Sequence, residues 1–173
     1  MDFIEIGFLA VWLVFGVVGW VRGFYKELGV TLILTGALII CFFLETKVGP
    51  VIQSYTGTFY PQIAVLLYSG VIIFAALIAY QGQTIIYPGK DPTGFLGSLW
   101  SIGIGLFNGY LIVGTIWYYL NKYGYPFGNF VPPLSGTAQS IIAILPFNFL
   151  PTQYTMFILI GGLLFLLLLR VIR

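Results

Sequence analysis

The chain has 173 residues, 60% hydrophobic, 18% aromatic and 7% charged, with a net charge of +2 and a mean hydropathy of +1.03. A soluble domain carries roughly 25% charged residues, so a water-soluble fold of this size cannot hide so much apolar surface. The aromatic content excludes a disordered chain. The charge is too small and too scattered for a nucleic-acid binder.

Five runs are long enough, or nearly so, to cross roughly 30 Å of hydrocarbon as helices. The first is Phe3–Val21. Asp2 and Glu5 stand where a signal peptide would carry basic residues, so this run is expected to remain in place. The second is Leu28–Leu44, free of charge. The third runs from Gln62 to Tyr80, with an extension to Ile86 open. The fourth is Ser98–Leu120 and the fifth Tyr154–Leu169. All nine prolines fall outside these runs, where they break no helical hydrogen bond. Among the charged residues only Glu5 lies inside one, and it is read as a solvated carboxylate at a helix start, with coupling on the outer side as the alternative.

The connection Asn121–Gln153 is too long and too apolar for a plain loop. Its stretch 138–151 is broken by Pro146 and Pro151, cannot span, and is expected in the interface or as a re-entrant element. Trp117, Tyr118, Tyr119, Tyr123 and Tyr125 gather where an aromatic belt belongs. The expected fold is all-α, a single polytopic bundle over residues 1–173. Arg22, Lys26, Lys90, Arg170 and Arg173 on one side outnumber Lys47 and Lys122 on the other, which puts the N-terminus outside and the C-terminus in the cytoplasm.

Composition also narrows the chemistry. There is no histidine, so the usual general base and the commonest metal ligand are missing. The single cysteine, Cys41, lies in an apolar run and cannot build a zinc or iron–sulfur site. No phosphate-binding, dinucleotide, nucleophile-elbow or zinc-protease motif occurs. The expectation is therefore no catalytic residue, no cofactor, no metal and no enzyme.

Three constellations remain. In the segment from Gly19 to Gly29, Gly23 permits a tight turn, while Arg22, Lys26 and Glu27, with Asp91 from the next inner connection, sit at headgroup height as an anchor or a partner-docking surface. In the fourth run, Gly97, Ser101, Gly105 and Gly109 recur every four positions and form a stripe for close helix packing, within the chain or between subunits. Gly16, Gly19 and Gly23 of the first run and Gly161-Gly162 of the fifth are its candidate partners. Asn108 falls near the middle of the fourth run with no carboxylate or basic residue expected at its depth; it either bonds between helices or, with Ser101 and Thr115, lines a path.

Two of these blocks carry a resemblance. Arg22-Gly23-Phe24 with Glu27, followed by Asp91, Gly97, Gly105 and Gly109, resembles the CvpA family of bacterial inner-membrane proteins, named for colicin V production. Ser101 stands where that family often has glycine, Asn108 where a basic residue is common, and Pro92 where a basic residue usually follows the Asp. The resemblance implies an inner-membrane protein tied to toxin secretion or envelope maintenance. Combined with the small-residue stripe, it suggests action through packing against the bilayer and other membrane subunits, as a homo- or hetero-oligomer. The alternatives are a small channel, exporter component or lipid-handling protein, and an accessory subunit of a large energy-transducing complex.

Overall fold

The structure is a computed structural model describing residues 3–81, 87–127, 135–149 and 153–171, and the elements among them are all helical. Helix α1 (Phe3–Arg22) stops at Gly23, whose φ of 90° an L side chain rarely adopts, and α2 (Phe24–Phe43) restarts immediately. The helical path continues through a π turn, Leu44–Val48, into α3 (Gly49–Thr56), with Pro50 in its first turn where a missing N–H costs no bond. Gly57, at φ 52°, reverses the chain, and a short 3-10 turn leads into α4 (Tyr60–Gln81). The connection between the second and third runs is thus helical rather than a loop.

After Asp91 come α5 (Gly94–Gly109), a second π turn (Tyr110–Gly114) and α6 (Thr115–Lys122), one continuous stretch. Then follow α7 (Gly136–Ala143), capped by the Ser135 hydroxyl accepting from the Ala138 N–H, α8 (Pro146–Phe149) and α9 (Thr155–Val171). Three continuous helical stretches are apolar and long enough to cross a bilayer: Glu5–Arg22, Phe24–Gln81 and Gly94–Lys122; α9 is shorter, at 17 residues. The second stretch folds back on itself. Cys41 lies against the Tyr68 carbonyl and Glu27 against Tyr80, so α2 and α4 run antiparallel.

Helix α2 is the axis of the bundle, with more than half of its residues buried. It packs on α4, α5 and α9, while α1 lies along α5. The main core gathers Leu34, Leu38, Cys41, Tyr68, Ile72 and Tyr119. Helix α1 turns Leu13, Val14 and Val17 outward, as expected of a lipid-facing surface.

The α7–α8 segment does not lie flat. Leu145 is fully buried, and Pro146 reaches Gly114, about two helical turns back along α6 from Lys122. The Tyr110 hydroxyl donates to the Ile144 carbonyl at the same depth. The segment therefore packs into the bundle. The suggested extension of the third run to Ile86, and residues 128–134 and 150–152 of the connection 121–153, lie outside the described residues.

Candidate functional site

The α1–α2 turn carries most of the polar chemistry at one end of the bundle. Gly23 has no side chain because Asp91 occupies that space: a Cβ there would lie 2.3 Å from Asp91 Oδ2. Asp91 Oδ1 accepts from the Tyr25 N–H at 2.9 Å, capping α2 from another segment of the chain. Lys26 is exposed. Arg22 turns back toward α4, its guanidinium 4.6 Å from the Tyr80 ring centre and within 3.5 Å of the Tyr80 carbonyl.

Glu27 corrects the expectation of a headgroup-level anchor: it is completely buried. The cause is the early start of α2. Because the helix begins at Phe24, Glu27 sits in its first turn and faces α4 and α5 instead of the headgroups, where the positive end of the helix favours an anion.

Asn108 meets this carboxylate. Its Nδ2 donates to Glu27 Oε2 at 2.8 Å and to the Glu27 backbone carbonyl at 2.9 Å, and its Oδ1 accepts from the Thr31 hydroxyl at 2.7 Å. Both Glu27 oxygens are acceptors, so the amide has one workable orientation. The Tyr80 hydroxyl donates to Oε2 at 3.0 Å. Arg22 Nε stands 3.4 Å from Oε1 without an aligned hydrogen bond, so it balances charge rather than fixing direction. The expectation that no carboxylate shares the depth of Asn108 is therefore overturned. Thr31 and Tyr80 were not singled out in the sequence; the four-residue spacing of Glu27, Thr31 and Thr35 was the available signal.

The glycine stripe is used inside the chain. A Cβ on Gly19 would lie 2.4 Å from the Ser101 carbonyl and 2.7 Å from the Gly105 Cα, and one on Gly105 would lie 2.4 Å from the Phe15 carbonyl. Gly109 faces Phe15, and Trp12 donates its indole N–H to the Leu106 carbonyl at 2.7 Å. Ser101 satisfies its own hydroxyl on the Gly97 carbonyl at 2.9 Å. Three assignments change. Gly23 faces the Asp91 carboxylate rather than the stripe. Gly97 faces Pro92, just ahead of its own helix, rather than another helix. Gly161 and Gly162 have nothing within 4 Å of a Cβ position, so they are not partners of the stripe.

At the other end, Glu45 is carried by the first π turn, the kind of helical irregularity often found at functional sites. It pairs with Lys122 and accepts from the Tyr119 hydroxyl at 3.2 Å; Lys122 also donates to the Tyr118 hydroxyl at 3.1 Å. Trp117 and Tyr119 are buried rather than set in a lipid-facing belt, because Tyr125 and Glu45 supply their polar partners inside the bundle. A cavity of about 430 Å³ opens here, lined by Phe42, Glu45, Tyr60, Lys122, Tyr123 and neighbours. Burial and a hydrogen bond with Tyr60 hold the Tyr123 phenol above its usual range, so it stays neutral. Glu5 is also not solvated: it is buried and accepts from the Ser135 hydroxyl, tying the start of α1 to the start of α7.

A family model described as colicin V production protein matches residues 4–144, which span both polar ends of the bundle. The chain belongs to that family. It is a colicin V production-related membrane protein, and its Arg22–Glu27 block and glycine ladder fall within the matched region. No curated protein and no solved structure matches it.

Proposed function

We propose that this member of the colicin V production family is a non-enzymatic protein of the bacterial inner membrane, with its N-terminus outside and its C-terminus cytoplasmic. It serves toxin production or envelope maintenance by docking on other membrane proteins. The observation that carries this reading is the closed Glu27–Asn108–Tyr80–Thr31 network, in which Asn108 is fully buried and spends its amide on the chain itself. Such a network fixes the relation of α2, α4 and α5, as a scaffold requires; a channel lining at Asn108 would need its amide open to water.

Because α1 covers the glycine stripe, partners meet another surface. Trp20, Val21, Phe95 and Trp100 stand exposed at the α1–α5 end, and large aromatics of this kind dominate protein interfaces. Photo-crosslinking from positions 20 and 100 in native membranes, with position 165 on α9 as reference, tests the proposal. Protein adducts from 20 and 100 are expected. Lipid adducts alone from all three positions would overturn it.

A further inference from the structure

The cavity at the Glu45 end is not used by the docking reading, and it combines features that point to a ligand. It lies where α2 and α6 end and α4 begins, at one end of the apolar stretches, and helix ends are where a spanning bundle meets headgroups. Its charges are ordered. The Glu45 side chain is 12% exposed and that of Lys122 42%, so the anion is recessed and the cation stands at the rim. The rings of Tyr60, Tyr118 and Tyr123 line the same cavity. One of these rings already accepts a cation, since the Lys122 ammonium lies 5.4 Å from the Tyr118 ring centre. Beside the cavity, the Tyr60 and Tyr68 hydroxyls converge on Gly49, and that of Tyr68 is buried with no hydrogen-bond partner among the described residues.

We propose that this cavity binds the headgroup of a zwitterionic aminophospholipid, with its ammonium held by Glu45 and the tyrosine rings and its phosphodiester by Lys122. The order of charges selects this ligand. In such a lipid the ammonium is the outermost group and the phosphodiester lies nearer the acyl chains, so a head entering ammonium-first meets the recessed carboxylate and leaves its phosphate at the rim. The empty pair Glu45–Lys122 is exchanged for two pairs of opposite charge, and net charge stays balanced. An anionic headgroup entering the same way would bring hydroxyls or negative charge toward Glu45 with nothing to offset the lost lysine contact. A primary ammonium also carries N–H donors that phenol oxygens accept, whereas a quaternary one does not.

The test is native mass spectrometry of the full chain in detergent, offered phosphatidylethanolamine, phosphatidylglycerol and phosphatidylcholine at equal concentration. The ethanolamine lipid is expected to be retained about tenfold more than the glycerol lipid, equivalent to about 1.4 kcal/mol. Glu45→Gln should bring it down to the glycerol level. Equal retention of the ethanolamine and glycerol lipids by the parent protein overturns the proposal, and that comparison needs no variant to fold. Unchanged ethanolamine-lipid retention in Glu45→Gln does so too. Equal retention of the choline lipid overturns the assignment to a primary ammonium. Displacement by free phosphoethanolamine at matched concentration would make the ligand a soluble phosphoester and overturn the lipid source. Crosslinking of partners at positions 20 and 100 is independent of all these outcomes.

Discussion

Asn108 donates from one amide nitrogen to two oxygens of a single residue, the Glu27 carboxylate at 2.8 Å and the Glu27 backbone carbonyl at 2.9 Å. The second bond reaches a carbonyl in the first turn of α2, so side chain and backbone of one helix are locked to the side chain of another. Removing Asn108 leaves a buried carboxylate short of a donor, which costs more than the bond itself contributes.

Asn108→Leu is therefore expected to lower stability by about 2–3 kcal/mol, while Glu27→Gln, which keeps an acceptor oxygen in place, should cost about 1 kcal/mol. The double variant should lose less than the sum, because with the charge gone the missing amide matters less. Thermal unfolding in detergent measures all three. Strict additivity would mean that the two side chains do not act as a unit.

Gly19 and Gly105 meet backbone to backbone, so neither can gain a methyl group without separating α1 from α5. Gly105→Leu should destabilise the fold by more than about 2 kcal/mol, by overpacking. Gly103, two residues away with nothing within 4 Å of its Cβ position, should accept alanine with a gain of about 0.5–1 kcal/mol from helix propensity. Equal tolerance at positions 103 and 105 would count against the α1–α5 contact.

These contacts mark how far the sequence could be read. The helical bundle was legible because hydropathy, proline placement and charge all reflect the same constraint, that backbone polar groups must be satisfied inside lipid. The four-residue repeat of small residues showed that α5 packs closely, but periodicity does not name the partner; that required Gly19 and Phe15 to be placed against it. A second apolar run that starts at Leu28 leaves Glu27 at headgroup height, whereas Gly23 and Asp91 start α2 a turn earlier. Glu45 escaped notice for a related reason. The π turn that aims it at Lys122 depends on tertiary contacts and leaves no mark in residue spacing.

Asp91 caps α2 through the Tyr25 N–H, and Gly23 leaves the room it needs. Asp91→Ala should cost about 1 kcal/mol, as loss of a helix cap does. Gly23→Ala should cost more, since it combines an unfavourable φ with a clash on the same carboxylate. In Asp91→Ala the clash disappears, so Gly23→Ala should be milder there than in the parent chain. A Gly23→Ala penalty independent of residue 91 would show that the carboxylate does not set the turn.

Cys41 reports on the fold directly, as the chain's single thiol. It is fully buried between α2 and α4, with its sulfur 3.6 Å from the Tyr68 carbonyl. Reaction with N-ethylmaleimide in the folded state then requires α2 and α4 to part, and should be slowed on the order of 100-fold relative to the unfolded chain. Tyr68 is fully buried in the same core cluster, with its ring stacked near those of Tyr119 and Tyr123. Tyr68→Ala removes that ring and leaves a cavity, so labelling should accelerate by roughly tenfold as local opening becomes easier. Gly103→Ala, far from this interface, should leave the rate unchanged. Rapid labelling of the folded parent would show that α2 and α4 are not packed at Cys41, because no other thiol can supply the signal.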